Sequence, residues 1–250
     1  VTTYVRLAVG LVLLLGIAVL VSYRAGLHRQ RDLVLASVRA VVQLAVVAAA
    51  LRGVFAAPIT SVLVVGVMFS VASWTAARRL RGGADGGRGV LSAVLLSCAA
   101  GSAVVIAIIV ALPTLDRNVR TCVAVSGIVL GNTMTGATLA GRHLNEGLRR
   151  RRDEVEAWLS IGASNRQAVR DVARAAASEA LVPGLDQTRT VGLVTLPGAF
   201  IGALLGGASA VGAARFQVVV LVGLLCAQVI TVSLLTYLLG APSTLPEPTS

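Results

Sequence analysis

The sequence predicts an all-α polytopic membrane bundle of about seven transmembrane helices, with one amphipathic cytoplasmic helical segment between the fifth and sixth. Three observations carry this expectation. Apolar residues make up 56% of the 250-residue chain, charged residues only 13%, and the mean hydropathy is +0.85, outside the range of soluble domains. The apolar residues gather into windows of about 20, the length a helix needs to cross hydrocarbon. One long polar stretch, Arg142 to Glu179, interrupts them.

The windows fall at about 4–23, 33–52, 58–77, 90–112, 119–140, 182–206 and 213–239. Residues 1–240 therefore read as a single transmembrane domain, with 142–181 as its cytoplasmic segment and 241–250 as a flexible tail. The first window lacks a basic n-region and runs into Tyr23-Arg24 rather than an Ala-x-Ala cleavage site, so it is expected to stay as a helix. In the second, Arg39 and Gln43 stand one helical turn apart on one face. The run 81–88, Arg-Gly-Gly-Ala-Asp-Gly-Gly-Arg, reads as a flexible loop after the third. The fifth carries a polar patch of Asn132, Thr133, Thr135 and Thr138, and Gly127 with Gly131 in G-x-x-x-G spacing. The sixth opens with Asp186-Gln-Thr-Arg189-Thr, is bracketed by Pro183 and Pro197, and carries Gly198, Gly202 and Gly206. Glycines at this spacing let helix backbones approach closely, and Pro197-Gly198 is expected to interrupt the span. The seventh holds Gln217 and Gln228.

Orientation follows from the arginines. Fifteen of the 22 basic residues fall in the loops after spans 1, 3 and 5. The positive-inside rule places those loops in the cytoplasm, the N-terminus outside and the C-terminus inside. The membrane expected is the cell inner (plasma) membrane, crossed several times.

Several function classes are excluded or disfavoured. The chain has no lysine, so it cannot carry the phosphate-binding lysine of a P-loop. It has no H-E-x-x-H and no G-x-S-x-G, and its two histidines, His28 and His143, are far apart in sequence. Cys98, Cys122 and Cys226 show no C-x-x-C spacing and read as small packing residues. The net charge of +11 does not mark a nucleic-acid partner, because the eight arginines between Arg142 and Glu179 face six acids. Energy for any transport must come from another chain or an ion gradient.

Within the polar segment, Val155, Trp158, Leu159 and Gly162 recur at helical spacing, and Val169, Val172, Ala173 and Ala176 continue the pattern after Gly162-Ala-Ser-Asn165. Ser164 with Gln167 three residues on matches a capping box. A helix, a tight turn and a second helix running into span 6 are expected. Such an element can lie on lipid, on the protein itself, or in a groove of a partner.

Charged groups at membrane depth are costly and mark pathways or structural pairs. Asp186 and Arg189, at i and i+3, either neutralise each other or line a pathway. Arg39 has no acid within helical reach, so its partner is a carboxylate on another helix, such as Asp186, or an anionic ligand. Thr133 and Thr138 read as packing residues bonded to their own backbone.

The string Glu156-Ala-Trp-Leu-Ser-Ile-Gly162-Ala-Ser resembles the EAA loop of ABC importer permeases, with Trp158 where the second Ala of E-A-A stands. More broadly, Arg31-Asp-Leu, Arg39-Ala-Val-Val-Gln-Leu44, Gly131-Asn-Thr-Met-Thr135, Arg152-Asp-Glu-Val-Glu156, Val191-Gly-Leu-Val-Thr-Leu-Pro-Gly198 and Arg215-Phe-Gln217 occur in the order found in FetB-type permeases. The chain resembles that family, ABC-transporter membrane subunits that include bacterial iron exporters and plant aluminium-tolerance permeases, from about residue 20 to 240. Ala199-Phe-Ile201 and Ala210-Val211 depart from the family's usual residues.

The resemblance implies a homodimer that works with a cytoplasmic ABC ATPase subunit. ATP would bind on that partner, and this chain would bind no cofactor and catalyse no reaction. It implies an ATPase-coupling set of Asp153, Glu154, Glu156, Gly162, Ala163, Arg166 and Arg170. Arg39, Gln43, Asn132, Thr135, Asp186 and Arg189 become the pathway or buried polar set, and Pro197, Gly198, Gly202 and Gly206 the break and packing set. The implied cargo is a metal ion, iron first, with no metal ligand assigned. An anionic small molecule or nucleotide sugar as cargo, and a non-ABC ion-coupled carrier or scaffold, stand as alternatives.

Overall fold

The computed structural model describes residues 2–54, 58–80, 89–112, 115, 118–242 and 244–245. The loop expected at 81–88, Arg117, and residues 243 and 246–250 of the tail lie outside them. All regular elements among the described residues are helices, and six are long and apolar enough to cross a membrane.

The chain forms two compact units, 1–60 and 61–250. The first holds α1 (Thr2–Arg24) and α2 (Gln30–Val54). The turn between them closes as Leu27 N–H donates to the Ser22 carbonyl at 3.0 Å, and Arg29 then pairs with Asp32 at 3.1 Å at the start of α2. Both helices keep their apolar side chains outward, as helices bathed in lipid do.

The second unit takes α3 (Pro58–Leu80) from Ser61 onward, then α4 (Val90–Ala111), α5 (Val119–Arg150), α6 (Arg152–Ser160), α7 (Asn165–Thr190), α8 (Gly198–Leu205) and α9 (Ala210–Leu239). Its core is made of small residues. Ala76, Ala77 and Leu80 of α3 meet Val94 and Cys98 of α4, Ala137 and Ala140 of α5, Ala180 of α7, and Val232 and Leu235 of α9. Lipid offers no hydrophobic drive for helices to associate, so close contact between small side chains supplies the packing. A second cluster, with Val105, Val125, Val129, Val220 and Leu224, joins α4, α5 and α9 at the opposite end.

The helix ends sort as alternation requires. Leu80, at the end of α3, packs over Gly141 near the end of α5. Asn165, at the start of α7, donates through Nδ2 to the Pro242 carbonyl just past α9 at 3.0 Å. The arginine-bearing ends of α3, α5 and α7 thus share one end of the unit, as expected from the charge count.

Helix α5 runs unbroken to Arg150, and α7 runs from Asn165 to Thr190 through Pro183, the continuous second helix expected after the turn. One boundary differs from expectation. The sixth span, expected as one stretch over 182–206, is divided. Helix α7 stops at Thr190, whose carbonyl accepts N–H bonds from Leu193 and Val194 at 3.3 and 3.0 Å. Gly192, at φ +82°, closes the turn onto the Thr195 carbonyl at 2.9 Å, and Pro197 in extended conformation precedes α8. The interruption expected at Pro197-Gly198 is present and begins seven residues earlier than the proline, at Thr190. Hydropathy windows record apolar side chains, whereas backbone preferences divide this stretch: glycine favours positive φ, and a residue before proline is held extended.

Candidate functional site

The polar segment folds as the helix–turn–helix its pattern predicts. Asp153 and Glu154 occupy the first turn of α6, where carboxylates complement the helix dipole. Helix α6 ends in a Schellman arrangement: Ala163 N–H donates to the Trp158 carbonyl at 3.1 Å and Gly162 N–H to Leu159 at 3.0 Å. That ending needs a left-handed residue, and Gly162 has φ +90°. The capping box then starts α7: the Ser164 hydroxyl accepts from Gln167 N–H at 3.4 Å, and Gln167 Oε1 accepts from Ser164 N–H at 2.9 Å.

Packing fixes α6 on one side only. Val155 is fully buried among Leu144 and Leu148 of α5 and Val169 and Val172 of α7, with Leu159 beside them. Trp158 and Ile161 remain 47% and 76% exposed. They overhang a groove of about 490 Å³ between α6 and α7, also lined by Glu154, Gly162, Ala163, Gln167, Arg170 and Asp171. The groove therefore carries both exposed apolar surface and charge of both signs.

Both glutamates of α6 are held in ion pairs. Arg151 donates to Glu154 through Nε at 2.7 Å and Nη2 at 2.6 Å, a two-pronged contact. That bond draws the Glu154 carboxyl below its ordinary range and raises Arg151. Arg152 Nε donates to Glu156 at 2.7 Å, and Arg150 pairs with Glu146. Of the seven expected coupling residues, Glu154, Gly162, Ala163 and Arg170 line the groove. Asp153 and Glu156 are exposed on α6, and Arg166 stacks on the Tyr237 ring of α9 at 4.0 Å.

The expected pathway residues divide between the two units. Arg39 and Gln43 lie exposed on α2 of the first unit, so burial of Arg39 is not seen in the single chain. Asp186 and Arg189 pair with each other at 3.4 Å and remain 59% and 73% exposed, also contrary to the expected interior placement. Asn132 is half-buried, and its Oδ1 has no hydrogen-bond partner among the described residues. Thr135, exposed, bonds its own backbone at Gly131. Thr133 and Thr138 do the same at Leu130 and Met134, the packing role expected of them. Gly198 and Gly202 face open space in this chain, so no neighbour within the second unit uses their stripe.

The interior does contain a polar seam that sequence reasoning only half identified. Gln217 and Gln228 of α9 are buried, and their Oε1 atoms have no hydrogen-bond partner among the described residues. Beside them, Thr231 donates to the Ser97 carbonyl at 3.2 Å, and the Ser102 and Thr133 hydroxyls lie 3.4 Å apart. The available signal was Ser97-x-x-x-Gly101-Ser102 on α4, a small-polar run within an apolar span. Among the described residues, no group of three or more His, Cys, Asp or Glu side chains is placed to hold a metal ion.

Comparison with known proteins adds a lineage. The family described as an uncharacterised protein family, UPF0014, matches residues 4–242. The chain is 33% identical over 225 residues to the UPF0014 membrane protein STAR2 of Oryza sativa subsp. japonica, covering 89% of this chain and 78% of that protein. It is 31% identical over 236 residues to Protein ALUMINUM SENSITIVE 3 of Arabidopsis thaliana, covering 94% and 85%. It is 27% identical over 229 residues to the Probable iron export permease protein FetB of Escherichia coli (strain K12), covering 90% and 86%. No solved structure matches.

Proposed function

The chain belongs to the UPF0014 family, and from that premise we propose that it is the membrane-spanning subunit of an ABC transporter. It works as a homodimer, residues 1–240 forming its single membrane domain, with a cytoplasmic ATPase that binds the ATP. The chain itself makes and breaks no covalent bond. It sits in the plasma (inner) membrane with its N-terminus outside and its C-terminus in the cytoplasm.

The observation that carries this reading is the α6–turn–α7 element. Trp158 and Ile161 are large apolar side chains left exposed on the longest segment the charge pattern assigns to water. Exposed apolar surface beside a groove of mixed charge is the chemistry of a protein partner's docking site. The geometry also supplies a lever. Helix α7 is continuous from the groove at Asn165 to the break at Thr190, so a push at its start is carried as a rigid rod toward the broken segment. Breaks of this kind are where transporter helices bend.

The homodimer is supported by α7. Asp186 and Arg189 lie exposed at the end of α7, in the stretch the sequence assigns to span 6, and a charged group facing lipid at mid-membrane costs at least about 2.5 kcal/mol. A second copy, or a water-filled cavity between copies, removes that cost. As cargo we propose a metal ion, iron first, following the name of the Escherichia coli relative. An anionic small molecule is the second reading, favoured by Arg39, which stands in the second span with no ion pair among the described residues, whereas Arg189 pairs with Asp186.

The test is crosslinking of the tagged chain in its native membranes, with bound proteins identified by mass spectrometry. An ABC ATPase should be recovered, crosslinked near Trp158. Reconstituted with that ATPase, ATP hydrolysis should rise with iron and not with organic phosphates. Transport by the chain alone in proteoliposomes would overturn the reading in favour of an ion-coupled carrier.

A further inference from the structure

We propose that a second groove, between the first half of α7 and the end of α9, binds the phosphate of an anionic phospholipid. It has a volume of about 520 Å³, includes no residue of α6, and shares with the first groove only Gln167 and Arg170. Arg166, Arg170 and Arg174 recur every fourth residue on α7 and so stand on one face. Opposite them, α9 presents Ser233, Thr236 and Tyr237.

The charge in this groove is uncompensated. On α5 and α6, Glu146, Glu154 and Glu156 each have an arginine. No described carboxylate lines the second groove, and none of its three arginines has an ion pair among the described residues. Three guanidinium groups one turn apart repel one another, so the arrangement favours an anion between them. Planar guanidinium forks match phosphate oxygens, and the exposed hydroxyls of Ser233 and Tyr237 add donors, that of Thr236 being turned onto the Val232 carbonyl at 2.9 Å. Arg166 is held in place over the Tyr237 ring, 4.0 Å from its centroid.

The position of the groove identifies the source of the phosphate. It lies at the arginine-rich end of the unit, where α9 completes its apolar run, and Tyr237 is 59% exposed there, as aromatic residues at a membrane boundary are. From Ser233 and Tyr237 the exposed face of α9 continues along Val229, Val222 and Val218. Those positions span about 100° of the helix. A cationic cradle that opens onto an apolar track has the form of a phospholipid, with phosphate in the cradle and acyl chains along the valines. A free phosphate would use the cradle and leave the track idle. This inference does not depend on the ATPase reading.

The test uses the full-length chain in neutral detergent, titrated with dioleoyl-phosphatidylglycerol, dioleoyl-phosphatidylcholine or inorganic phosphate and read by native mass spectrometry. Phosphatidylglycerol should be retained at least tenfold more strongly than phosphatidylcholine, and inorganic phosphate should not displace it. Arg174→Gln, which touches only this groove, should weaken phosphatidylglycerol binding about fivefold, the loss of one arginine at an anionic surface, and Arg174→Lys should restore most of it. Ser233→Glu, an exposed site whose change leaves the core untouched, should abolish the preference. Arg215→Gln, at the other end of α9, should leave it intact. Equal retention of the two lipids, no effect of Arg174→Gln and Ser233→Glu in variants that elute and melt as the parent does, or displacement by inorganic phosphate would each overturn the proposal.

Discussion

Gly101 on α4 and Ala227 on α9 leave no room for a methyl group between them. A Cβ on residue 101 would stand 2.5 Å from the Ala227 carbonyl oxygen and 2.2 Å from the Thr231 hydroxyl. The carbonyl is backbone and cannot rotate away, so any side chain there pushes the two helices apart. The same crossing carries the Thr231–Ser97 hydrogen bond. Gly101→Ala is expected to cost about 1–3 kcal/mol, the usual range for overpacking. Thermal unfolding in detergent reads it, with Gly66→Ala on α3, where a Cβ meets nothing within 4 Å, expected to leave the melting temperature unchanged.

Gly162 separates backbone strain from steric crowding. Its φ is +90°, yet a Cβ there would meet nothing within 4 Å. Substitutions should therefore rank by their tolerance of left-handed backbone alone, at roughly 1–2 kcal/mol for an ordinary L-residue. Gly162→Asn should retain most ATPase stimulation in reconstituted transporter, Gly162→Leu should lose it, and both should keep the membrane core folded. Equal activity of the two variants would separate the turn from coupling.

The spans, the helix–turn–helix and the Ser164–Gln167 cap were legible because each is written in local pattern: apolar windows, 3.6-residue spacing and a capping pair. The division at Thr190–Pro197 was only partly legible. Pro197 signalled it, but Leu193, Val194 and Leu196 continue the apolar window across the turn. The partners of buried groups were not legible, because they are set by tertiary contact. Arg166 belongs to the coupling segment by sequence position and to Tyr237, 71 residues away, by contact. Arg39 was expected to be buried because its charge is costly in lipid, but burial of that kind depends on a second surface that one chain's sequence does not contain.

The Arg151–Glu154 contact sets a pH expectation. The bond from Arg151 holds the Glu154 carboxyl below its ordinary value of about 4.3. A carboxyl whose folded value is depressed contributes fully above the ordinary value and loses its contribution as pH falls through the lower one. The contact should thus be insensitive to pH above the ordinary carboxylate range and break only as pH falls through the depressed value. Carboxyl ¹³C NMR of Glu154 in the intact chain should show a midpoint below 4.3, and Arg151→Gln should move it back toward that value. A midpoint unchanged by Arg151→Gln would place the cause elsewhere.

Asp186 permits the most decisive single substitution. Its pairing with Arg189 at 3.4 Å is long, and both side chains are more than half exposed on the chain. Exposed pairs of this kind contribute about 0–1 kcal/mol, whereas breaking a buried pair costs about 3–5 kcal/mol because a charge is left stranded. On the observed geometry, Asp186→Asn should change the yield and melting temperature of the folded protein very little. If Asp186 lines the cavity through which cargo passes, the same variant should still transport poorly, and Asp186→Glu should recover part of the rate. Folded yield and transport are therefore measured together in one preparation of each variant. Normal yield with lost transport assigns the carboxylate to the pathway. Normal transport with lost yield shows that the pair is buried in the assembled transporter, at a surface which a second copy of the chain completes.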